Sequence, residues 1–253
     1  LLVSYIYQKI NVMSNGSDKY HLLMRKSKKS ILKNCSKLIQ YKDYFKDIMN
    51  SNYLVLVRHG QSEWNEKNLF TGWKDPDLTD KGEKEALIAG KALKASGYKF
   101  DIMFTSVLLR AKRTGNIILR QMAQEDIKIV ENEALNERNY GDLAGLNKDE
   151  ARKNWGKDQV HKWRRSFNVA PPGGESLKMT AERVLPYYEK NILPLLIDNL
   201  EIVIAAHGNS LRALVMELDK LSPEEVVKLE IQTGMPICYQ VNKMGEVVAK
   251  TIM

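Results

Sequence analysis

Two histidines in this chain are each followed by glycine and preceded by a run of aliphatic residues. They are His59, after Tyr53-Leu-Val-Leu-Val57-Arg58, and His207, after Glu201-Ile-Val-Ile-Ala-Ala206. An imidazole can accept a phosphoryl group when a backbone carbonyl holds one ring nitrogen as N–H, leaving the lone pair of the other nitrogen to face phosphorus. Arg58 adjoins the first histidine, and Arg110 follows a third aliphatic run that ends near Ser106. Two imidazoles and two guanidiniums facing one space would repel one another unless an anion filled it. A phosphate dianion does so, and a planar guanidinium can bind its oxygens in pairs. Transfer also needs a proton donor for the leaving oxygen, and Glu137, in the polar stretch Asn136-Glu-Arg-Asn-Tyr140, is the candidate. Gly60 is expected to let backbone and ligand approach closely. His21 and His161 carry no such context and read as ordinary surface or core histidines.

These residues can meet only if the runs that carry them are neighbouring strands. From Tyr53 onward short apolar runs alternate with amphipathic stretches, the pattern of an α/β fold with buried strands. Tyr53–Val57 reads as the first strand. Thr79 reads as the N-cap of a helix with Ala86, Ala89, Gly90 and Leu93 on one face and Gly97 as its stop. Asp101–Thr105 is a second strand, followed by a helix carrying Arg110, Ala111 and Thr114, and Ile127–Val130 is a weaker strand. Pro171-Pro-Gly-Gly174 interrupts the chain before a helical pattern from Ser176 to about Leu196, with breaks or kinks expected near Pro186 and Pro194. Glu201–Ala206 is the strongest remaining strand and runs into a helix through Leu218. Pro236–Val241 and Val247–Lys250, joined around Gly245, form a terminal hairpin. In an open parallel sheet, ligands collect at the carboxyl ends of the strands, where both His-Gly pairs fall.

Composition sets wider bounds. The chain has 253 residues and a formal net charge of +8, but ten of its 39 Lys/Arg and three of its 31 Asp/Glu fall within residues 1–50. The rest is nearly neutral, so a positive site there must be local, as a pocket for a small anion is, and no broad nucleic-acid footprint is expected. Two cysteines, Cys35 and Cys238, without metal-ligand spacing, suit a reducing compartment. No apolar run approaches the roughly 20 residues that span a bilayer, so no membrane partner is expected. Residues 1–50 are read as a basic N-terminal extension and 51–253 as the catalytic domain. Met49 stands just ahead of the first strand.

At these residues the chain resembles the histidine phosphatase superfamily, whose signature appears here as Leu56-Val-Arg58-His59-Gly60. Within it the sequence is similar to the cofactor-dependent phosphoglycerate mutases. The motifs are Gln61-Ser-Glu-Trp-Asn65, Phe70-Thr-Gly-Trp73, Asn136-Glu-Arg-Asn-Tyr-Gly141, Gly145-Leu-Asn-Lys148, Trp163-Arg-Arg165, Pro172-Gly-Gly-Glu-Ser176 and Ala206-His-Gly-Asn-Ser-Leu-Arg212. The resemblance covers about residues 53–242. It implies a three-layer α/β/α sandwich with a mostly parallel central sheet. It further implies that His59 is phosphorylated, that Glu137 is the acid/base, and that Arg58, Asn65, Arg110, His207 and the Gly208 backbone surround the transferred group. Ser62, Thr71, Gly72, Tyr140, Lys148, Arg164, Arg165 and Asn209 would hold the rest of the glycerate.

The implied reaction interconverts 3-phosphoglycerate and 2-phosphoglycerate in glycolysis and gluconeogenesis, with 2,3-bisphosphoglycerate as primer and intermediate and no metal. A homodimer and a cytoplasmic location are expected, or an organelle if residues 1–48 are a targeting segment. The segment Ser166–Gly174 is shorter than in many relatives, and the chain ends soon after the hairpin. The shorter segment is expected to leave the pocket more open and to alter subunit contacts, and both features bear on the balance between transfer and loss of phosphate to water. One rival reading is a phosphatase of the same superfamily. Another is a non-catalytic protein that binds membrane or RNA through its basic N-terminus.

Overall fold

The structure, a computed structural model, describes residues 51–253. The expectations for residues 1–50, including His21 and Cys35, lie outside the described residues.

Strand β1 is Asn52–Arg58, followed by a one-turn helix α1 (Glu63–Glu66) and the long α2 (Asp80–Ala95). Strand β2 (Ile102–Thr105) leads into α3 (Leu109–Met122), and β3 is Lys128–Glu131. Helices α4 (Lys148–Trp155), α5 (Lys157–Arg165) and α6 (Leu177–Tyr187) follow. A π-helical stretch, Tyr188–Ile192, joins α6 to α7 (Leu193–Ile197). Strand β4 (Ile202–Ala206), α8 (Gly208–Leu218), α9 (Pro223–Val226), β5 (Pro236–Val241) and β6 (Val247–Ile252) complete the chain.

The local chemistry accounts for these boundaries. The Thr79 hydroxyl accepts the Gly82 N–H at 3.2 Å and caps α2, and Ser176 does the same for α6 through Met179 N–H at 3.1 Å. Where breaks were expected at Pro186 and Pro194, the chain stays helical. It widens to π geometry between the two prolines and then resumes α geometry, a way to accommodate the missing proline N–H without ending the helix.

The strands form one sheet in the order β3-β2-β4-β1-β5-β6. The first four run parallel, and β5 and β6 are antiparallel additions. Alternating side chains divide the core in two. Leu54, Leu56, Ile202 and Ile204 pack against Ala181, Val184 and Ile192 and against Leu211 and Leu214 of α8. Val55, Val57, Val203 and Ala205 pack on the other face against Ala86, Ala89 and Leu93 of α2 and Ile118 and Leu119 of α3. Helices thus cover both faces, giving the expected three layers. Among the described residues no helix is long and apolar enough to cross a membrane.

This layering places the site. Strands β1 and β4 are parallel neighbours, with Arg58 opposite Ala206. The chain leaves β1 toward α2 on one face and leaves β4 into α8 on the other. Neighbouring strands whose helices diverge leave a crevice beyond their carboxyl ends.

Candidate active site

Both His-Gly pairs open into that crevice. His59 N–H donates to Ala206 O at 2.9 Å, tying the end of β1 to β4. The two imidazole centroids are 5.0 Å apart, with the rings tilted by 59°. His59 Nδ1 lies 2.7 Å from the carbonyl oxygen of Gly60. A carbonyl can only accept, so Nδ1 carries the proton and Nε2 holds the lone pair. Ser106, just beyond β2, fixes the second ring through its hydroxyl, 2.7 Å from His207 Nε2.

Gly60 has a different reason to be glycine from the one expected. A Cβ there would sit 2.1 Å from the carbonyl oxygen of Gly82, and one on Gly82 would sit 2.1 Å from the carbonyl oxygen of Gln61. The two glycines let the β1 end press against the first turn of α2, so the close approach is backbone to backbone.

A buried guanidinium, Arg110, and a half-buried one, Arg58, flank the rings. Arg110 is 1% exposed and donates to Gly72 O and Lys74 O, each at 2.9 Å. Arg58 donates to Ile231 O at 2.8 Å. Burial lowers Arg110 to about 10, which still leaves it a cation at neutral pH. Burial, reinforced by Arg110, holds both histidines well below 6.5, Arg58 and, at His207, the His59 ring adding to it; the Gly60 carbonyl opposes this at His59. The imidazoles are therefore neutral, and the repulsion expected between four cations reduces to that between two guanidiniums.

Glu137 supplies the balancing charge. Its Oε1 accepts Arg138 N–H at 2.7 Å, Asn209 N–H at 3.1 Å and Asn209 Nδ2 at 2.8 Å. Burial pushes its pKa up, but the Arg138 and Asn209 hydrogen bonds and the two arginines outweigh this and hold it below 4.5. The carboxylate is ionised beside the N-terminal turn of α8, where the helix dipole also favours it. Oε2 takes no hydrogen bond among the described residues, and it would lie 3.7 Å from a Cβ on Gly208.

Above this floor is a cavity of about 250 Å³. Arg58, His59, Arg110 and Glu137 line it, and Gly208 and Asn209 contribute from α8. Asn65, Thr71 and Gly72 also line it, as do Tyr140, Lys148, Arg164 and Arg165. Two predicted residues stand apart. His207 is fully buried beside His59 and is not part of the lining, and neither is Ser62. The Ser62 hydroxyl caps α1 by accepting Asn65 N–H at 3.3 Å, while Asn65 Oδ1 accepts Ser62 N–H at 3.2 Å, so Ser62 orients Asn65.

The lining also includes residues to which the sequence reading gave no role. Arg212 lies one turn beyond Asn209 on α8, and helical spacing could have flagged it. Glu230 lies between α9 and β5, where no periodicity points to it. Behind the lining, Arg183 of α6 donates to Ala134 O at 2.7 Å, Asn136 O at 3.0 Å and Glu137 O at 2.9 Å. It also pairs with Glu175 at 2.9 Å, and Glu175 accepts Asn139 N–H at 2.9 Å. The Trp73 indole N–H adds a 2.6 Å bond to Glu137 O. The loop carrying Glu137 is thus gripped on both sides of that residue.

The donor set fits a small ligand with several negative charges. Arg58 Nε and Arg110 Nε are buried without a hydrogen-bond partner. Among the described residues neither Lys148 nor Arg164 pairs with a carboxylate, and burial lowers the pKa of both. Such cations reach their lowest energy with an anion between them.

Residues 54–250 match the histidine phosphatase superfamily (branch 1). A 2,3-bisphosphoglycerate-dependent phosphoglycerate mutase of Parvibaculum lavamentivorans is 63% identical over 202 residues, covering 80% of this chain and 96% of that protein. A phosphoglycerate mutase of Schizosaccharomyces pombe is 56% identical over the same shares of the two chains. Among solved structures, a phosphoglycerate mutase of Bacillus anthracis superposes with a TM-score of 0.65 at 22% identity, over 81% of this chain and 93% of that one. A mycobacterial glucosyl-3-phosphoglycerate phosphatase superposes with a TM-score of 0.68 at 22% identity, over 80% and 97%. At that identity the structures speak for the fold alone, whereas the sequence relatives carry the family. The chain belongs to branch 1 of the histidine phosphatase superfamily, among its 2,3-bisphosphoglycerate-dependent phosphoglycerate mutases.

Proposed function

We propose that this chain interconverts 3-phosphoglycerate and 2-phosphoglycerate by carrying a phosphoryl group on His59 Nε2, with residues 51–253 as the catalytic unit. The observation that carries the assignment is the 2.7 Å bond from His59 Nδ1 to the Gly60 carbonyl, which leaves Nε2 unprotonated on a ring lining a cationic cavity. When bound, 2,3-bisphosphoglycerate supplies the phosphoryl group that charges this nitrogen.

In the charged enzyme Glu137 takes the proton of the attacking substrate hydroxyl. The oxygen–phosphorus bond forms as the Nε2–phosphorus bond breaks, and the electron pair returns to the ring. An ionised carboxylate with one uncommitted oxygen suits the role of base. In the return transfer Nε2 attacks the other phosphorus, and protonated Glu137 gives its proton to the leaving oxygen. Arg58, Arg110, Asn65 and the Gly208 N–H stabilise charge on the transferring oxygens, and His207, buried behind the lining with Nδ1 free of any hydrogen bond among the described residues, adds to them from beside His59. Ser62 acts by orienting Asn65. Thr71, Gly72, Tyr140, Lys148, Arg164, Arg165 and Asn209 hold the remainder of the glycerate. The expectations of a homodimer and a cytoplasmic location are supported by the family resemblance and are read by light scattering and by cell fractionation.

Incubation with 3-phosphoglycerate and a trace of 2,3-bisphosphoglycerate should yield 2-phosphoglycerate with little free phosphate. Predominant release of phosphate would make the protein a phosphatase.

A further inference from the structure

The cavity lining contains two carboxylates, and only one has a place in the reaction. Glu137 is bound to Arg138 and Asn209. Glu230 sits at the rim, 62% exposed, with Oε1 2.5 Å from Arg165 Nη2 and Oε2 3.4 Å from Arg212 Nη2. Arg165 is one of the cations assigned above to the end of the substrate that is not in transfer.

We propose that Glu230 is an internal competitor for that anionic end, holding Arg165 and Arg212 between turnovers and giving them up when substrate binds. The inference rests on the assigned roles of the distal cations.

Three features support competition rather than support for the arginines. Arg212 is fixed without Glu230, since its Nε donates to Leu229 O at 2.8 Å and its Nη1 to Asn209 Oδ1 at 3.1 Å. Arg165, by contrast, has Glu230 as its carboxylate partner among the described residues, so a substrate anion at Arg165 must replace that partner. Finally, Glu230 carries its charge on a connecting segment at the cavity mouth, where a rotamer change returns it to water at low cost. An ion pair this exposed is worth little by itself, so it can be exchanged readily for a ligand. The effect on the reaction is to weaken ground-state binding of the glycerate, which helps a tightly charged site release its product.

The test is Glu230→Gln, which keeps the shape and removes the charge. The KM for 3-phosphoglycerate and its dissociation constant measured by calorimetry should both fall, by about two- to fivefold, the range expected for one exposed ion pair. The difference from wild type should shrink at high ionic strength. An unchanged or raised dissociation constant would overturn the proposal, a rise meaning that Glu230 instead positions the arginines. Glu230→Asp, with the charge kept but withdrawn, should stay nearer wild type than Gln. Failure of the wild-type protein to isomerise would defeat the functional reading, whereas calorimetry reads Glu230 with or without turnover.

Discussion

At the level of single residues, the chemistry depends on protonation states that burial enforces. Desolvation and two guanidiniums keep His59 neutral while the Gly60 carbonyl fixes the position of its proton, the state that the proposed nucleophile requires. His59→Ala should abolish acid-labile phosphorylation of the protein, as read by trapping labelled enzyme, and substantial turnover in this variant would exclude the covalent route. Glu137→Gln keeps the hydrogen-bonding shape but cannot exchange a proton. Its rate should fall by about 10²-fold or more in a single-turnover transfer assay.

At the level of elements, the site depends on three clasps between segments distant in sequence. One is the 2.9 Å bond between β1 and β4 at His59. Another is the seat of β1 on α2, where a side chain cannot fit, so Gly82→Ala should destabilise the fold by about 1–3 kcal/mol in chemical denaturation. The last is the grip of Arg183 and Trp73 on the Glu137 carbonyl. Arg183 acts at a distance from substrate. Arg183→Met should therefore lower kcat about tenfold while KM stays within about twofold. Arg183→Lys should restore part of the loss, since an ammonium reaches fewer of the carbonyls at once. Equal losses in kcat and stability-corrected KM would mean the ion pair only holds the fold together.

At the level of the whole molecule, function and acid stability are coupled. Three buried groups at one site, His59, His207 and Glu137, all have folded pKa values below their ordinary ones. The unfolded chain binds protons more readily at each, so stability falls as pH is lowered. For the histidines the loss begins near the ordinary value of 6.5, because the rings protonate on unfolding. For Glu137 the contribution is complete above 4.5 and is lost as pH falls through its lowered folded value. Urea titrations at pH 7.5 and 5.5 should show a lower midpoint at 5.5. The double variant His59→Gln, His207→Gln should remove most of that difference, and an unaltered difference would place its origin elsewhere.

Much of this was legible in the amino-acid sequence, because it is written in local pattern. Runs of aliphatic residues marked β1, β2 and β4, and the residues Thr79 and Ser176 marked helix starts that the structure caps with those same hydroxyls. The His-Gly pairs and the Arg-His-Gly signature indicated both the chemistry and the family. The tertiary structure alone decided what depends on the approach of remote segments. Register between β1 and β4 brought the rings to 5.0 Å, and packing of α2 explained Gly60. It also placed Arg183 behind Glu137 and Glu230 before Arg165, where neither periodicity nor motif gives a signal. The physical reason is that hydrogen bonding along the chain fixes an element from its own residues, whereas the partner of an exposed charge or a buried guanidinium is chosen by whichever surface folding brings against it.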